Sequence, residues 1–596
     1  MPSILTELDS CQQEAVKKTD GPILVLAGAG SGKTRVLTYK VAYLIQEQKV
    51  KPENILMVTF TNKAADEMKG RVWQLLGQKT NLPLMGTFHS FCAKILRVEG
   101  EKIGIAKNYS IFDESDSQEL TKEAMEELLI SAKNFRPQAI RTAISQAKNE
   151  LLTPSGYQEI AYGYFGQTVA KIYPQYQKLL GKNNALDFDD LLFETVKLFK
   201  SDSQTCLKYQ KQYRYLLVDE YQDVNTAQYE LTKILASFWQ NITVVGDASQ
   251  AIYGFRGADF RNILNFEKDW PNVGVFNLTQ NYRSTQQILD SAYAIISQNQ
   301  THPILKLWTE KKDGQKVAVF EAENEIDEAR FVLSSILQIN LPLSSFGVLY
   351  RTNAQSRVLE EACLKESIPY ILVGGTRFYQ RKEVKDVLSY LRLLSNPKDS
   401  VSKKRVEKVG KGRLKKFIEA KQKILRRHWQ PAKIIEKVLE ATQYLFLIDD
   451  GTEKGAIRVE NVKELFSVAT KFKTLAEFLE NVSLIELESQ SQHPEVNQKK
   501  KEAITLMTVH AAKGLEFEVV FLVGMEEGLF PHARSTFDPG QLEEERRLAY
   551  VGVTRAKKRL FLTYAQNRLF LGRRSSSIVS RFLTDIPNNL LFEAKK

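Results

Sequence analysis

Cysteine is scarce in this chain. Its 596 residues contain four, Cys11, Cys92, Cys206 and Cys363, far apart and with no Cys-x-x-Cys pair. A disulfide framework and a thiolate metal site both need closer spacing, so reduced, buried thiols are expected. Histidine is equally sparse, with six residues and none at metal-ligand spacing. Long apolar runs are missing as well. Pro22–Ala27 and Val519–Val523 are among the longest, against the ~18 to 20 residues that cross a bilayer, so no membrane span is expected. The segment Met1–Asp9 carries two acids and no apolar core, which does not suit a secretory signal and leads us to expect a cytoplasmic location. No repeat of fixed period is visible.

What is present is a soluble, basic composition. Hydrophobic residues make up 43% and charged residues 26%, which excludes a fibrous, collagen-like or wholly disordered chain. Lys and Arg number 83 against 71 Asp and Glu, a net charge of +12, and this favours a polyanionic partner such as nucleic acid. The length suggests about three to six folding units.

Short β-rich runs alternate with helical patterns in two separate regions. Pro22–Ala27, Asn54–Phe60, Arg214–Val218 and Ile242–Val245 read as strands of one parallel α/β lobe. Lys316–Glu321, Phe346–Tyr350, Ala503–Thr508, Val519–Val523 and Arg559–Tyr564 read as strands of a second. Each set is interrupted by a helical stretch, at about residues 98–205 and 379–499. The second stretch holds the basic run Lys403–Arg427, whose plain reading is a solvated helix face, and Gln490–Lys501 reads as a polar linker. The expected fold is α/β, with two parallel-sheet lobes that each carry a mainly helical insertion.

Ala27–Thr34 (Ala-Gly-Ala-Gly-Ser-Gly-Lys-Thr) follows a predicted strand and opens a predicted helix, the context of a phosphate-binding loop. Small residues let backbone N–H groups surround phosphate oxygens, Lys33 can reach the terminal phosphates, and Thr34 offers a hydroxyl to Mg²⁺. Asp219 and Glu220 end the apolar run Leu216–Val218. Asp219 is suited to Mg²⁺ and Glu220 to orienting or deprotonating an attacking water. Val244–Asp247 places another carboxylate at a strand tip, followed by Gln250, Tyr253, Phe255 and Arg256. These aromatics suit either base stacking or core packing. Arg283 and Arg555 could stabilise a transferring phosphoryl group from a second lobe, or serve as surface ion-pair partners.

Eleven segments occur in a recognisable order: Gln12, Ala27–Thr34, Thr59–Ala65, Gly86–Phe91, Asp187–Leu192, Asp219–Asp223, Gly246–Ala258, Gln280–Ser284, Leu349–Arg357, Thr508–Phe517 and Tyr550–Ala556. In this succession the chain resembles the UvrD/Rep/PcrA family of superfamily 1 DNA helicases, from about residue 8 to 588. The resemblance implies two RecA-like P-loop motor domains with ATP between them. The first would comprise residues 1–97 and 201–280 with an insertion at 98–200, and the second 281–378 and 500–596 with an insertion at 379–499.

It also implies a site. ATP and Mg²⁺ would meet Ala27, Gly28, Ala29, Gly30, Ser31, Gly32, Lys33, Thr34 and Arg35, with Gln12 recognising adenine, Tyr282 stacking on it, and Asp219 sharing the metal with Thr34. Glu220 and Gln250 would face the water and γ-phosphate, Arg283 and Arg555 would be the arginine contacts, and Glu516 would lie on the ribose or γ-phosphate side. Single-stranded DNA would contact Phe60, Thr61, His89, Phe188, Tyr253, Phe255, Arg256, Asn353 and His510. Phe570, in Asn567–Gly572, resembles the tip of a duplex-separating hairpin. The implied activity is 3′-to-5′ translocation and unwinding of DNA at single-strand/duplex junctions, in repair or replication restart, with unidentified repair or replication proteins as partners and no membrane.

Alternatives are a translocase that displaces proteins with weak unwinding and a nucleotide-switched DNA-binding protein. The implied location is cytoplasmic, with the nucleoid. Several features depart from the family pattern. Tyr221 and Phe255 stand where Phe and Trp are usual, and Ala248 and Ser249 where acids are common. The second insertion is short as a whole; it retains Val409-Gly-Lys-Gly412 where the family carries a Gly-rich contact to duplex DNA, with divergent residues around it, and the partner-binding tail of relatives is expected to be absent.

Overall fold

The computed structural model describes residues 4–77, 81–132, 134–254, 257–374, 376–397, 399–425, 429–482, 502–570 and 573–595. The chain divides into two compact units, Met1–Arg283 with Asn299–Thr309, and Ser284–Gln298 with Glu310–Lys596. The first unit therefore extends past the expected boundary at 281. The cause is local: Asn281 Nδ2 donates to Ala29 O at 2.6 Å and Tyr282 N to Gly30 O at 3.0 Å.

The first unit contains β1 (Ile23–Ala27), β2 (Ile55–Thr59), β3 (Leu84–Thr87), β4 (Ser110–Phe112), β5 (Ala185–Asp187), β6 (Tyr215–Val218), β7 (Ile242–Gly246) and β8 (Gly274–Leu278). Six of them form a parallel sheet in the order β3-β2-β6-β7-β1-β8. Parallel neighbours need long crossovers, and helices such as Lys33–Gln46, Asn62–Leu75 and Thr226–Ala236 supply them. Because both faces of the central strands β1, β2, β6 and β7 are covered, these are almost wholly apolar and alternate only in which core they enter. Leu24, Leu56, Val58, Leu216 and Val218 pack on one side, and Ile23, Val25, Ile55, Met57 and Leu217 on the other.

The helices Glu114–Glu127, Pro137–Asn149, Pro154–Ile160 and Gly163–Lys182 share a core of their own around Leu120, Ile140, Ile144 and Tyr173. This layer is tied to the helix Phe188–Ser201 by a buried ion cluster. Lys148 Nζ lies 2.7 Å from both Asp187 Oδ2 and Asp190 Oδ1, and Tyr176 OH donates to Asp187 at 2.8 Å. Burial opposes the Lys148 charge, but the two carboxylates outweigh it and hold the ammonium well above its ordinary range. Asp187 also caps Phe188–Ser201 reciprocally with Asp190. Beside it, Asn149 Nδ2 donates to Asp189 Oδ1 at 3.1 Å, while Asn149 Oδ1 accepts from Asn225 Nδ2 at 2.6 Å.

The second unit contains β9 (Val317–Asn324), β10 (Phe346–Tyr350), β11 (Tyr370–Val373), β12 (Ile504–Thr508), β13 (Phe517–Leu522), β14 (Ala556–Phe570), β15 (Arg573–Ser576) and β16 (Leu591–Glu593). Its sheet runs β11-β12-β10-β13-β14-β9-β16, all parallel, with β15 antiparallel on β14. Between β11 and β12 the chain forms helices from Lys382–Ser395 to Glu453–Ala469 around Val387, Leu391, Phe417, Val438 and Val462. In the basic run, Val406 and Phe417 face this core while Lys403, Lys404, Lys408, Lys411, Lys415 and Lys416 are exposed, as a solvated helix face requires. Arg426 and Arg427 lie outside the described residues, as does all of Gln490–Lys501. Among the described residues no helix is long and apolar enough to cross a membrane.

Replacing Lys148 by Met should strand the two carboxylates, at a cost of about 3 to 5 kcal/mol. Amide hydrogen exchange across Phe188–Ser201, accelerated in Lys148→Met and unchanged in β1, would show it; uniform protection would refute the clamp.

Candidate functional site

The candidate residues of the first unit cluster because of one topological fact. Ala27, Phe60, His89, Asp219, Asp247 and Asn281 each lie at or just beyond the carboxyl end of a strand of the same parallel sheet, the edge where α/β proteins gather ligands.

The phosphate loop begins where β1 ends in the buried Ala27. Gly30 and Gly32 take φ of 68° and 90°, left-handed values that favour glycine. A Cβ on Gly28 would strike Leu307, and one on Gly30 would meet Asn281 Nδ2 at 2.7 Å. Backbone carbonyls of the loop are fastened by polar groups within it and beyond it. Ser31 Oγ donates to Gly28 O at 2.9 Å, Asn281 Nδ2 to Ala29 O at 2.6 Å, Tyr282 N to Gly30 O at 3.0 Å, and Gln12 Nε2 to Ser31 O at 2.9 Å. No side chain caps the helix Lys33–Gln46, so the N–H groups of Lys33, Thr34 and Arg35 at its start are available to an anion. Lys33 Nζ is buried with no hydrogen-bond partner among the described residues. Its nearest charge is Glu220 Oε2, 3.7 Å away.

Asp219 and Glu220 follow β6. The Asp219 carboxyl is pushed up to about 7, chiefly by burial and then by the Glu220 charge, with Lys33 opposing. Glu220 has φ of 49°, an uncommon value for a side chain with a Cβ and one that marks functional sites. Its carboxylate is held from behind: Gln222 Nε2 donates to Glu220 Oε2 at 2.5 Å, and Gln222 Oε1 accepts from Asp247 N at 3.0 Å. Asp247 Oδ2 in turn accepts from Gln250 Nε2 at 2.6 Å. Lys33, Glu220, Gln222, Asp247 and Gln250 thus form one polar chain across β1, β6 and β7. Gln222 and Asp247 received no site role from the sequence, although Gln222 sits two residues after Glu220 and Asp247 at a strand tip.

Near Gln12, Tyr282 OH donates to Asp9 Oδ2 at 2.6 Å, and Asp9 and Gln12 cap the helix Ser10–Lys17 reciprocally. Arg35 Nη2 donates to Glu7 O at 2.7 Å, turning its guanidinium to the neighbouring segment. Two aromatic pairs continue along the edge. Phe60 and Tyr253 stack with ring centroids 5.5 Å apart and 9° between planes. His89 meets Phe188 edge-on at 6.0 Å, and Phe188 is 51% exposed. Burial lowers the His89 pKa, favouring a neutral ring. Tyr253 is half-buried rather than part of the core. Thr61 accepts from Ala64 N and caps the helix after β2. Phe255 and Arg256 lie outside the described residues.

Arg283 differs from expectation. It belongs to the first unit, and its Cβ would stand 2.8 Å from a Cβ on Gly30. It comes with the phosphate loop, because the bonds of Asn281 and Tyr282 carry it there.

In the second unit the remaining candidates fall on two opposite edges of one sheet. Asn353 and His510 follow the carboxyl ends of β10 and β12, whereas Glu516 and Arg555 precede the amino ends of β13 and β14. Arg555 is buried, its Nε donating to Val551 O at 2.9 Å and its Nη1 to Leu515 O at 3.3 Å. Glu516 Oε1 pairs with Lys557 Nζ at 2.8 Å. Asn353 O accepts from Arg381 Nη1 at 3.0 Å. Phe570 is the last residue of β14 and is in register with Arg573.

A glycine-rich loop between a parallel strand and a helix, facing an acidic strand end, defines a phosphate-loop nucleotide-binding protein. Residues 8–271 match the UvrD/REP helicase N-terminal domain. Residues 276–428 and 411–567 match the UvrD-like helicase C-terminal domain. The chain belongs to the UvrD/REP helicase family, as the order of its motifs led us to expect. It is similar to the ATP-dependent DNA helicase PcrA of Bacillus subtilis (strain 168), with 45% identity over 99% of this chain and 87% of that protein. The PcrA helicases of Staphylococcus aureus (strain Mu50) and Staphylococcus epidermidis are 42% identical, over 99% of this chain and 88% of each.

The raised Asp219 pKa has a signed consequence. The folded state holds this proton to higher pH than the unfolded chain, whose ordinary value is 3.8, so stability falls as pH rises between 3.8 and about 7 and levels off above. Without nucleotide or divalent cation, Asp219→Asn should lose less stability than the parent between about pH 5 and about pH 8. Urea midpoints at the two pH values read this directly, and parallel losses in both proteins would contradict it.

Proposed function

We propose that this protein is an ATP-driven translocase that moves 3′-to-5′ on single-stranded DNA and unwinds duplex DNA at its junctions with single strands, in repair or replication restart alongside the nucleoid. The observation that carries the reading is the polar chain from Lys33 to Gln250, which joins the phosphate loop to the segment where Tyr253 stacks on Phe60. The relatives, named ATP-dependent DNA helicases, support it.

In this reading ATP lies on Ala27–Arg35, with Gln12 and Tyr282 at the adenine. The γ-phosphate gives the buried Lys33 ammonium a closer, doubly charged partner than Glu220, and the Glu220 carboxylate is released to orient water. Water attacks the γ-phosphorus, the bond to the β–γ bridging oxygen breaks, and Glu220 accepts the water's proton. Gln250 senses the γ-phosphate, and Arg283 and Arg555 offset its developing charge, with Glu516 on the ribose or γ-phosphate side. Mg²⁺ suits the donors present. Among the described residues no three His, Cys, Asp or Glu side chains are placed to hold a metal by themselves, but Asp219 and the Thr34 hydroxyl provide the one or two protein oxygens that Mg²⁺ takes alongside substrate phosphates. When bound, the ion neutralises phosphate charge. A divalent cation there would also relieve the crowding of the Asp219 and Glu220 charges.

The DNA track comprises Phe60, Thr61, His89, Phe188, Tyr253, Phe255, Arg256, Asn353 and His510, with Phe570 as the duplex wedge. Aromatic stacking holds bases without reading sequence, at ~1 to 3 kcal/mol per base. Separating a base pair costs on average about 1.4 kcal/mol by stacking estimates, so coupling rather than energy limits the motor.

ATPase activity should rise with single-stranded DNA, and a duplex with a 3′ tail should be unwound in preference to one with a 5′ tail. Lys33→Ala should abolish both activities, and Glu220→Gln should retain ATP binding while hydrolysis falls ~10²- to 10⁴-fold. Unwinding by Lys33→Ala, or preference for the 5′ tail, would sink the proposal.

A further inference from the structure

The strand β14 is longer than its neighbour. Its last register pair with β9 joins Asn567 to Asn324, and from Asn567 to Phe570 it pairs instead with β15. A two-stranded ribbon is marginally stable by itself in water, yet a wedge that parts base pairs must not yield. The ribbon's firmest attachment among the described residues is Arg568. Its Nε donates to Glu526 Oε2 at 2.9 Å, and its Nη2 donates to Glu526 Oε1 at 2.5 Å and Glu328 Oε2 at 2.7 Å.

Both carboxylates are buried, with side chains 3% and 5% exposed, and both are already committed to the sheet. Glu328 Oε1 accepts from Gly524 N at 2.9 Å and Thr563 Oγ1 at 2.6 Å. Glu526 Oε1 accepts from Ala565 N at 2.8 Å. A planar guanidinium held by two fixed carboxylates sets direction as well as proximity, which an apolar contact or a lysine does not.

We propose that Arg568 is a positioning residue for strand separation, fixing the direction in which the β14–β15 ribbon leaves the sheet. The inference rests on the reading of Phe570 as the wedge. It separates two quantities a general weakening of the fold would move together: travel along a single strand, which does not need the ribbon, and unwinding, which does.

The experiment uses the full chain with Arg568→Met, Arg568→Lys and Phe570→Ala. It measures single-strand-stimulated ATPase, translocation on single-stranded DNA and unwinding of a 3′-tailed duplex. Arg568→Met should unwind about tenfold more slowly, with ATPase and translocation within about twofold of the parent. Arg568→Lys, which keeps the charge but loses the fork, should fall between. Equal losses in ATPase and unwinding would make Arg568 a support of the whole unit and overturn the proposal. Full unwinding by Arg568→Met, with a deficit in Phe570→Ala, would overturn the proposal alone. Full unwinding by Phe570→Ala would overturn the wedge reading and the proposal with it.

Discussion

The buried ammonium of Lys33 governs the arrangement of the first unit. It stands at a helix N-terminus, where exposed N–H groups already make the potential positive, and among the described residues it has no hydrogen-bond partner. Such a charge is tolerable only beside an anion. Glu220 provides one at 3.7 Å, too far for a close ion pair and near enough to be displaced. The left-handed backbone of Glu220 and the bond from Gln222 follow from this, since both hold a carboxylate toward Lys33 without letting it settle there. β7 leaves room for Gln222 by ending in glycine: a Cβ on Gly246 would stand 2.7 Å from Gln222 Oε1 and displace it from this position.

Parallel sheets bring these groups together without long-range contrivance. Every strand of the first sheet points the same way, so every following turn opens on the same edge, and nucleotide candidates neighbour the aromatic pairs Phe60–Tyr253 and His89–Phe188. The second sheet divides the labour by direction. Glu516 and Arg555 lie at strand beginnings, and Asn353 and His510 beyond strand endings. Two kinds of candidate are thereby held a strand length apart by one rigid element.

Much of this was legible in the amino-acid order. Apolar runs bounded by Gly or acids located β1, β2, β6, β7, β10, β12 and β13 to within a few residues, because strands buried on both faces must be continuously apolar. Edge strands were not visible: β8 (Gly-Val-Phe-Asn-Leu) alternates exposed and covered positions, and β4, β5 and β16 have three residues each. The length of β14 was missed because its outer third, Gln566–Phe570, carries a polar residue at three of its first four positions yet stays extended through pairing with β15. Lys33, Asp219 and Glu220 announced themselves by spacing. Gln222, Asp9 and Asp247 did not, since their contribution is a hydrogen bond to another side chain or loop, and such partners are set by folding rather than by interval. Arg283 falls with the first unit where the second was expected, because nothing in Asn-Tyr-Arg-Ser reveals that Asn281 is fastened to the loop after β1.

Asn149 joins two things that otherwise share no element. One face of its amide holds Asp189, next to the half-exposed ring of Phe188, and the other holds Asn225, which caps Thr226–Ala236 three residues past Gln222. A sideways pull on Phe188 is therefore opposed through two hydrogen bonds that end on Asn225, and the helical layer serves as a strut whose foot stands three residues past Gln222.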